Sequence, residues 1–347
     1  MDNNEKRFRD IRAYRIGGIL WITDFLILLP LLRVWARKRA KSLQLEYLGD
    51  RQLIEADIKK GAFFITNHRD IIMDAAWLSY LLRTRYFIRP FMGVGNNLFA
   101  RPWIKFVMRY LRCFAVKRGA GVHAQLENAK QLSAYIRMLR EQGKSIWLAQ
   151  REGRAKDSND ETQPSVLHML ELAYEESPNP TPEGFLDYIK MLNICPVSIT
   201  YEFDPCDYLK AAEMQLKRDN PKWRKTKKDD VISMQTGIEG YKGRVVYRLT
   251  PSINHAIDEM LEERPETKTL PIKDQILLLC SMIDQQIHLG YEIFDRGKEF
   301  DEYIESRIAL INIPDKDETF LREKLYEMYN NPVINHQKAQ LRQMFNV

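Results

Sequence analysis

A histidine followed closely by two aspartates, His68, Asp70 and Asp74, has the makings of a general base. A carboxylate can hold an imidazole in one tautomer and stabilise the imidazolium that forms on proton uptake. The surrounding run, ITNHRDIIMDAAWL, begins as an apolar strand and continues as a helix. Asp70 has a second role open to it, as the cap of that helix. Helical geometry does not choose between the two carboxylates. At about 100° per residue, Asp70 falls about 200° and Asp74 about 240° round from His68. His68 must therefore sit on the loop before the helix for either pairing to form. A second polar cluster, Arg151, Glu152, Gly153, Arg154 and Lys156, follows the apolar run SIWLA, where a solvated turn is the plain alternative. Cys113, Cys195, Cys206 and Cys280 lie far apart with no CxxC pair, which argues against a disulfide scaffold and a cysteine zinc site. No other set of His and carboxylates has metal-ligand spacing.

Positioning these residues falls to short apolar runs that alternate with helical patterns from about residue 44 onward. Candidate strands are 62–66, 86–92, 113–117, 145–150, 194–201 and 244–249. Amphipathic stretches at 71–83, 98–110, 122–141 and 163–175 lie between them, and helical patterns resume at 254–263 and 271–289. The alternation predicts an α/β fold, a central mixed sheet flanked by helices. Residues 44–295 are expected to form this domain and 296–347 a helical C-terminal extension. The stretch 217–230, KRDNPKWRKTKKDD, reads as an exposed charged excursion.

The 347 residues carry 53 Lys+Arg against 47 Asp+Glu, a net charge of +6. Residues 1–41 hold ten of the former and four of the latter, so the rest of the chain is balanced. That pattern argues against nucleic-acid binding, which normally shows as a basic face on the folded domain. The basic end surrounds a 17-residue apolar run, Ile16 to Leu32, interrupted among charged residues only by Asp24. As a helix it would span about 26 Å, short of the roughly 30 Å hydrocarbon core. With cations on both flanks, and Trp21 and Trp35 suited to the interface, residues 1–43 read as a membrane-associating segment.

Four blocks follow one another along the chain: Asn67-His68 with a downstream aspartate, Val116-Lys117-Arg118-Gly119, Glu152-Gly153-Arg154 and Pro196-Val197-Ser198-Ile199. In this order they resemble the glycerolipid acyltransferase family, whose blocks are NHxxxxD, a strand ending in a basic residue, an EG-R block and a PVxI strand. The stretches NHRDIIMD, SIWLAQREGRAKD, PVSITYEFDPCDYLKA and MQTGIEGYKGRV are similar to a bacterial subgroup of 1-acylglycerol-3-phosphate acyltransferases. Two spacings depart from the family: five residues separate His68 from Asp74 instead of four, and Arg154 follows Gly153 directly. Asp74 is nearer the family spacing and is the favoured partner of His68, with Asp70 as the alternative. The resemblance implies acyl transfer from a thioester donor, acyl-CoA or acyl-carrier protein, to a hydroxyl of 1-acylglycerol-3-phosphate, another lysophospholipid or glycerol phosphate. His68 would be the base. Asn67, Lys117, Arg118, Glu152, Gly153 and Arg154 would bind the acceptor, with the cations on its phosphate. No cofactor or metal is implied. The expected partners are the two substrates and an anionic membrane surface, with no nucleic acid. The expected place is the cytoplasmic face of a bacterial inner membrane. An aminolipid acceptor, or a catalytically silent membrane-surface protein of the same fold, are the alternatives.

Overall fold

The run FFIT at residues 63–66 is wholly apolar up to its last residue, which suits a strand covered on both faces. In the computed structural model, which describes residues 8, 29–96, 108, 111–117 and 121–345, all four of its residues are buried. The chain begins with α1 (Leu29–Arg39), β1 (Ser42–Tyr47), α2 (Arg51–Lys59), β2 (Phe63–Thr66), α3 (Met73–Tyr86), β3 (Phe91–Gly95) and β4 (Cys113–Val116). It continues through α4 (Gly121–Glu141), β5 (Ile146–Ala149), α5 (Pro164–Glu175), α6 (Pro182–Leu192) and β6 (Ile194–Tyr201). Then come α7 (Asp207–Asp219), α8 (Lys227–Glu239), β7 (Arg244–Leu249), α9 (Ile253–Glu263), α10 (Ile272–Leu289), α11 (Phe300–Ala309) and α12 (Glu318–Phe345).

The strands form one sheet in the order β1-β7-β6-β2-β5-β3-β4. Neighbours run parallel except β6 and β7, so the sheet is mixed, as expected. Alternation along the strands divides the core. Phe63, Ile65, Ile146 and Leu148 join the cluster with helices α4, α5, α6, α9 and α10. Phe64, Trp147, Val197 and Ile199 join the other, with α2 and α3. A third cluster ties Ala211 of α7 to Ile304, Ile308, Leu321 and Leu325 of the two C-terminal helices.

Two expectations need correction. Tyr86 is the last residue of α3, not the first of a strand. Phe87 caps that helix in the left-handed region at φ 58°, and the strand starts only at Phe91. The charged stretch 217–230 is not one open excursion, because α7 reaches Asp219 and α8 starts at Lys227 behind a Thr226–Asp229 capping box. Strand β1 and helix α6 were not anticipated. β1, SLQLEY, is only partly buried at the edge of the sheet, and α6 announces itself by Thr181-Pro182 at its start and Asn193 in the left-handed region at its end. The apolar run Ile16 to Leu28, the expected helix at 98–107, and Arg118 and Gly119 lie outside the described residues. No helix among the described residues is long and apolar enough to cross a membrane.

At the end of the sheet away from His68, the buried Arg140 of α4 gathers three carbonyls: Leu192 at 2.7 Å, Lys144 at 2.6 Å and Gly61 at 2.8 Å. The contacts join the starts of β2, β5 and β6. Arg140→Met keeps much of the stem volume but strips the donors from these carbonyls. It should lower unfolding free energy by about 3 kcal/mol in a urea titration, with the denaturant slope unchanged.

Candidate active site

β2 ends at Thr66, and the chain turns through Asn67, His68, Arg69 and Asp70 before α3 begins at Met73. Asp70 Oδ1 accepts from the backbone N–H groups of Ile72 and Met73, both at 2.9 Å, so this carboxylate caps the helix. Asp74, one residue into α3, points back into the loop. Its Oδ2 lies 2.8 Å from His68 Nδ1 and accepts from the N–H groups of Arg69 at 2.7 Å and Asp70 at 2.9 Å. Its Oδ1 accepts from the Tyr201 hydroxyl at 2.7 Å. With donors converging on a carboxylate that is 0% exposed, the facing ring nitrogen of His68 carries the hydrogen. Nε2 is left as the basic nitrogen, and it has no hydrogen-bond partner among the described residues. The imidazole stands edge-on to Trp147, 6.5 Å between centroids, and Trp147 is held by its indole N–H on Thr66 Oγ1. Burial pushes the Tyr201 phenol well above its ordinary range, and the nearby Asp74 charge adds to this, so Tyr201 stays a donor.

Asn67 is fully buried and does not reach an open cleft. Its side-chain amide acts as an extra peptide of the ladder: Oδ1 accepts from Ile199 N–H at 2.8 Å and Nδ2 donates to Ile199 O at 2.9 Å. It forms a clamp between the end of β2 and β6. Nδ2 also donates at 3.2 Å to Asp160 Oδ2, a residue that sequence reasoning missed. Asp160 is 0% exposed and receives Arg69 Nη2 at 2.8 Å and the Tyr291 hydroxyl at 2.7 Å on the same oxygen. Burial works against the Arg69 charge, but Asp160 together with Tyr291, Asp204 and Asp74 outweighs it and holds that pKa above the usual value. His288 Nε2 lies 2.6 Å from the Asp160 carbonyl oxygen. Nothing in the run DSNDE marks Asp160 as a hub, since its partners are brought from positions far along the chain.

Register carries the second polar cluster to the same place. Thr66 pairs with Ala149, so the residues after β5 run beside the His68 loop. Gly153 makes the turn at φ +74°, a conformation that favours glycine, and Glu152 N–H donates to Gln163 Oε1 at 2.7 Å. Arg154 is only 6% exposed, and its Nη1 has no hydrogen-bond partner among the described residues. Burial opposes its charge, and Cys206, Asp204 and Asp70 more than offset that. Arg154 lines a cavity of about 250 Å³ together with Leu209, Leu216, Trp223, Lys225 and Ile232. Lys117 lies elsewhere: it leaves β4, the edge strand three positions from β2, about 14 Å away at the usual strand spacing. Gln150, beside Asn67 in register, is 0% exposed with neither side-chain polar atom hydrogen-bonded among the described residues.

Beneath the loop lies a buried charged layer. Lys210 Nζ donates to Asp204 Oδ2 at 2.5 Å and to the Arg69 carbonyl at 3.2 Å. Asp70 packs on Gly237, where any Cβ would collide with its carboxylate. Burial raises the Asp70 pKa against the pull of Lys242, and burial likewise lowers that of Lys242.

Residues 44–199 match the family model described as Acyltransferase. A search of the curated proteins finds no match to the chain. The matched span runs from within β1 to most of β6, with His68, Asp74 and Arg154 inside it, and the match supports acyl transfer as the general chemistry.

The geometry separates the two aspartates by experiment. Asp74→Asn removes the carboxylate facing Nδ1 and should lower kcat by about a hundredfold or more. Asp70→Asn keeps the cap, since Asn caps as well as Asp, and should leave kcat within a few-fold. Steady-state rates of the two purified variants decide it, and the reverse order would transfer the orienting role to Asp70.

Proposed function

We propose that this protein transfers a fatty acyl group from a thioester donor to the hydroxyl of 1-acylglycerol-3-phosphate or a related glycerol phosphate, with His68 as general base. The reading rests above all on the His68–Asp74 contact of 2.8 Å, which leaves Nε2 as the ring's acceptor. Nε2 takes the proton of the acceptor hydroxyl as its oxygen attacks the thioester carbonyl. Asp74 orients the ring and stabilises the imidazolium. Collapse of the tetrahedral intermediate breaks the carbon–sulfur bond, and the thiolate leaves with the proton returned by His68. Atoms balance without a further reactant.

Arg154 is assigned to the acceptor phosphate. A guanidinium with an unused donor, on the wall of a cavity that also holds Lys225, supports this role. Glu152 and Gly153 shape the turn that presents it. Asn67 and Arg69 are positioning residues that hold the loop. Arg118 and Lys117 keep their proposed role on the phosphate only through the resemblance. Residues 1–43 are proposed to attach the chain to the cytoplasmic face of a bacterial inner membrane.

Thioester release, measured with and without a panel of lysophospholipid, glycerol phosphate and aminolipid acceptors, tests the reaction. His68→Ala should lower acceptor-dependent release by about 10²–10⁴ with the thermal unfolding unchanged. Full activity in that variant would falsify the mechanism and favour a silent binding protein. Arg154→Lys keeps charge but loses the paired geometry, so the acceptor KM should rise several-fold while the donor KM stays put. An unmoved acceptor KM would remove Arg154 from the phosphate.

A further inference from the structure

Between α7 and α8 the chain concentrates positive charge: residues 217–228 hold seven Lys and Arg against Asp219 alone. Part of it is neutralised. Lys217 pairs with Glu213, Arg218 with Asp219 and Asp317, and Lys225 with Asp230. The Asp229 carboxylate is taken up by the backbone and hydroxyl of Thr226. Lys222, Arg224, Lys227 and Lys228 remain, exposed and without an ion pair among the described residues. Arg224 donates only to the carbonyls of Pro221 and Trp223.

Apolar groups sit among these cations. Trp223 is half-buried, Val231 is 56% exposed and Ile232 is 39% exposed. Lys227 and Val231, like Lys228 and Ile232, stand four residues apart on α8 and so share a face one turn apart. Cations at the helix start, aliphatic groups one turn along and an indole beside them suit the boundary between lipid head groups and acyl chains. Phosphate attraction alone would serve a nucleic acid equally well, but two exposed aliphatic side chains would gain nothing there.

We propose that residues 222–232 are a docking surface for an anionic bilayer. Lys222, Arg224, Lys227 and Lys228 engage lipid phosphates, while Trp223, Val231 and Ile232 enter the interface. Trp223 and Ile232 also line the cavity that Arg154 lines, so a bilayer held here lies beside the residue assigned to the acceptor phosphate. The docking itself does not depend on that assignment or on acyl transfer.

Hydrogen–deuterium exchange of the full chain, without acyl donor, tests the surface. Vesicles of mixed phosphatidylglycerol and phosphatidylcholine, vesicles of phosphatidylcholine alone, and an RNA duplex form the three arms. Amides 222–232 should be slowed by the anionic vesicles only. The variant K222Q/R224Q/K227Q/K228Q should partition onto those vesicles about a hundredfold less or more, since all four cations near the surface are removed. V231S/I232S should also weaken partitioning, with both variants melting as the parent does. Unchanged exchange at 222–232 on anionic vesicles would overturn the proposal even if the whole chain binds through residues 1–43. Protection by RNA and not by vesicles would overturn it in favour of a nucleic-acid surface.

Discussion

A carboxylate withdrawn from water must find donors inside the protein, and Asp74 draws its surroundings into place for that reason. The ring of His68, two successive backbone N–H groups and the Tyr201 hydroxyl meet its two oxygens. Two of those donors are the loop itself, so the turn after β2 is wound around the charge it serves. Tyr201 comes from β6, and Tyr247 of β7 lies against the backbone carbonyl of Asp74 at 3.1 Å. The sheet, the loop and the helix start are thereby coupled through one side chain. Removing any single donor leaves part of a buried charge unmet, which costs more than the bond was worth.

Asp160 repeats the arrangement on the other side of the loop, with Arg69, Asn67 and Tyr291 as its donors. The division of labour along the chain is informative. The side chains proposed for proton transfer and phosphate recognition fall within residues 44–199, the span that matches the family model. Tyr201, Lys210, Lys242 and Tyr291, which hold the loop or its charged underlayer, come from beyond it. The C-terminal helices reach the same layer indirectly: Asp207 at the start of α7 accepts from Arg307, Tyr303 and Tyr329. Two phenols and a guanidinium from α11 and α12 thus steady the helix that carries Lys210.

Much of this was legible in the residues. Strands 194–201 and 244–249 appear with the boundaries expected, because their apolar runs end at polar turn residues. His68 on a loop before a helix followed from helical angles alone. The choice of Asp74 as its neighbour did not, since it depends on how far the loop winds before α3 starts. Asp160 and Lys210 were invisible, because a buried charge declares itself only when its partners, distant along the chain, are placed around it. The clamp made by Asn67 was hidden for a related reason: the residue type that binds ligands in an open turn also substitutes for a peptide group at the end of a strand. The strand expected at 86–92 failed because its apolar residues serve a helix end and a strand start equally well, and the left-handed Phe87 divides them.

One antiparallel step in an otherwise parallel sheet has a topological result. β6 and β7 are neighbours, and their ladder continues past the strands through Glu202 N–H on the Arg244 carbonyl and Phe203 N–H on the Lys242 carbonyl, at 2.9 and 3.1 Å. Residues 202–243 therefore leave and return through a pinched base at the end of the sheet that holds His68. To the sheet, this whole insertion is the turn of a hairpin. Closing a longer turn on such a base costs little, about 0.6 kcal/mol for each doubling of length. The tip between Asp219 and Thr226 lies outside the strands, so the sheet sets neither its length nor its charge. What the molecule meets at that end can change while the strands keep their register.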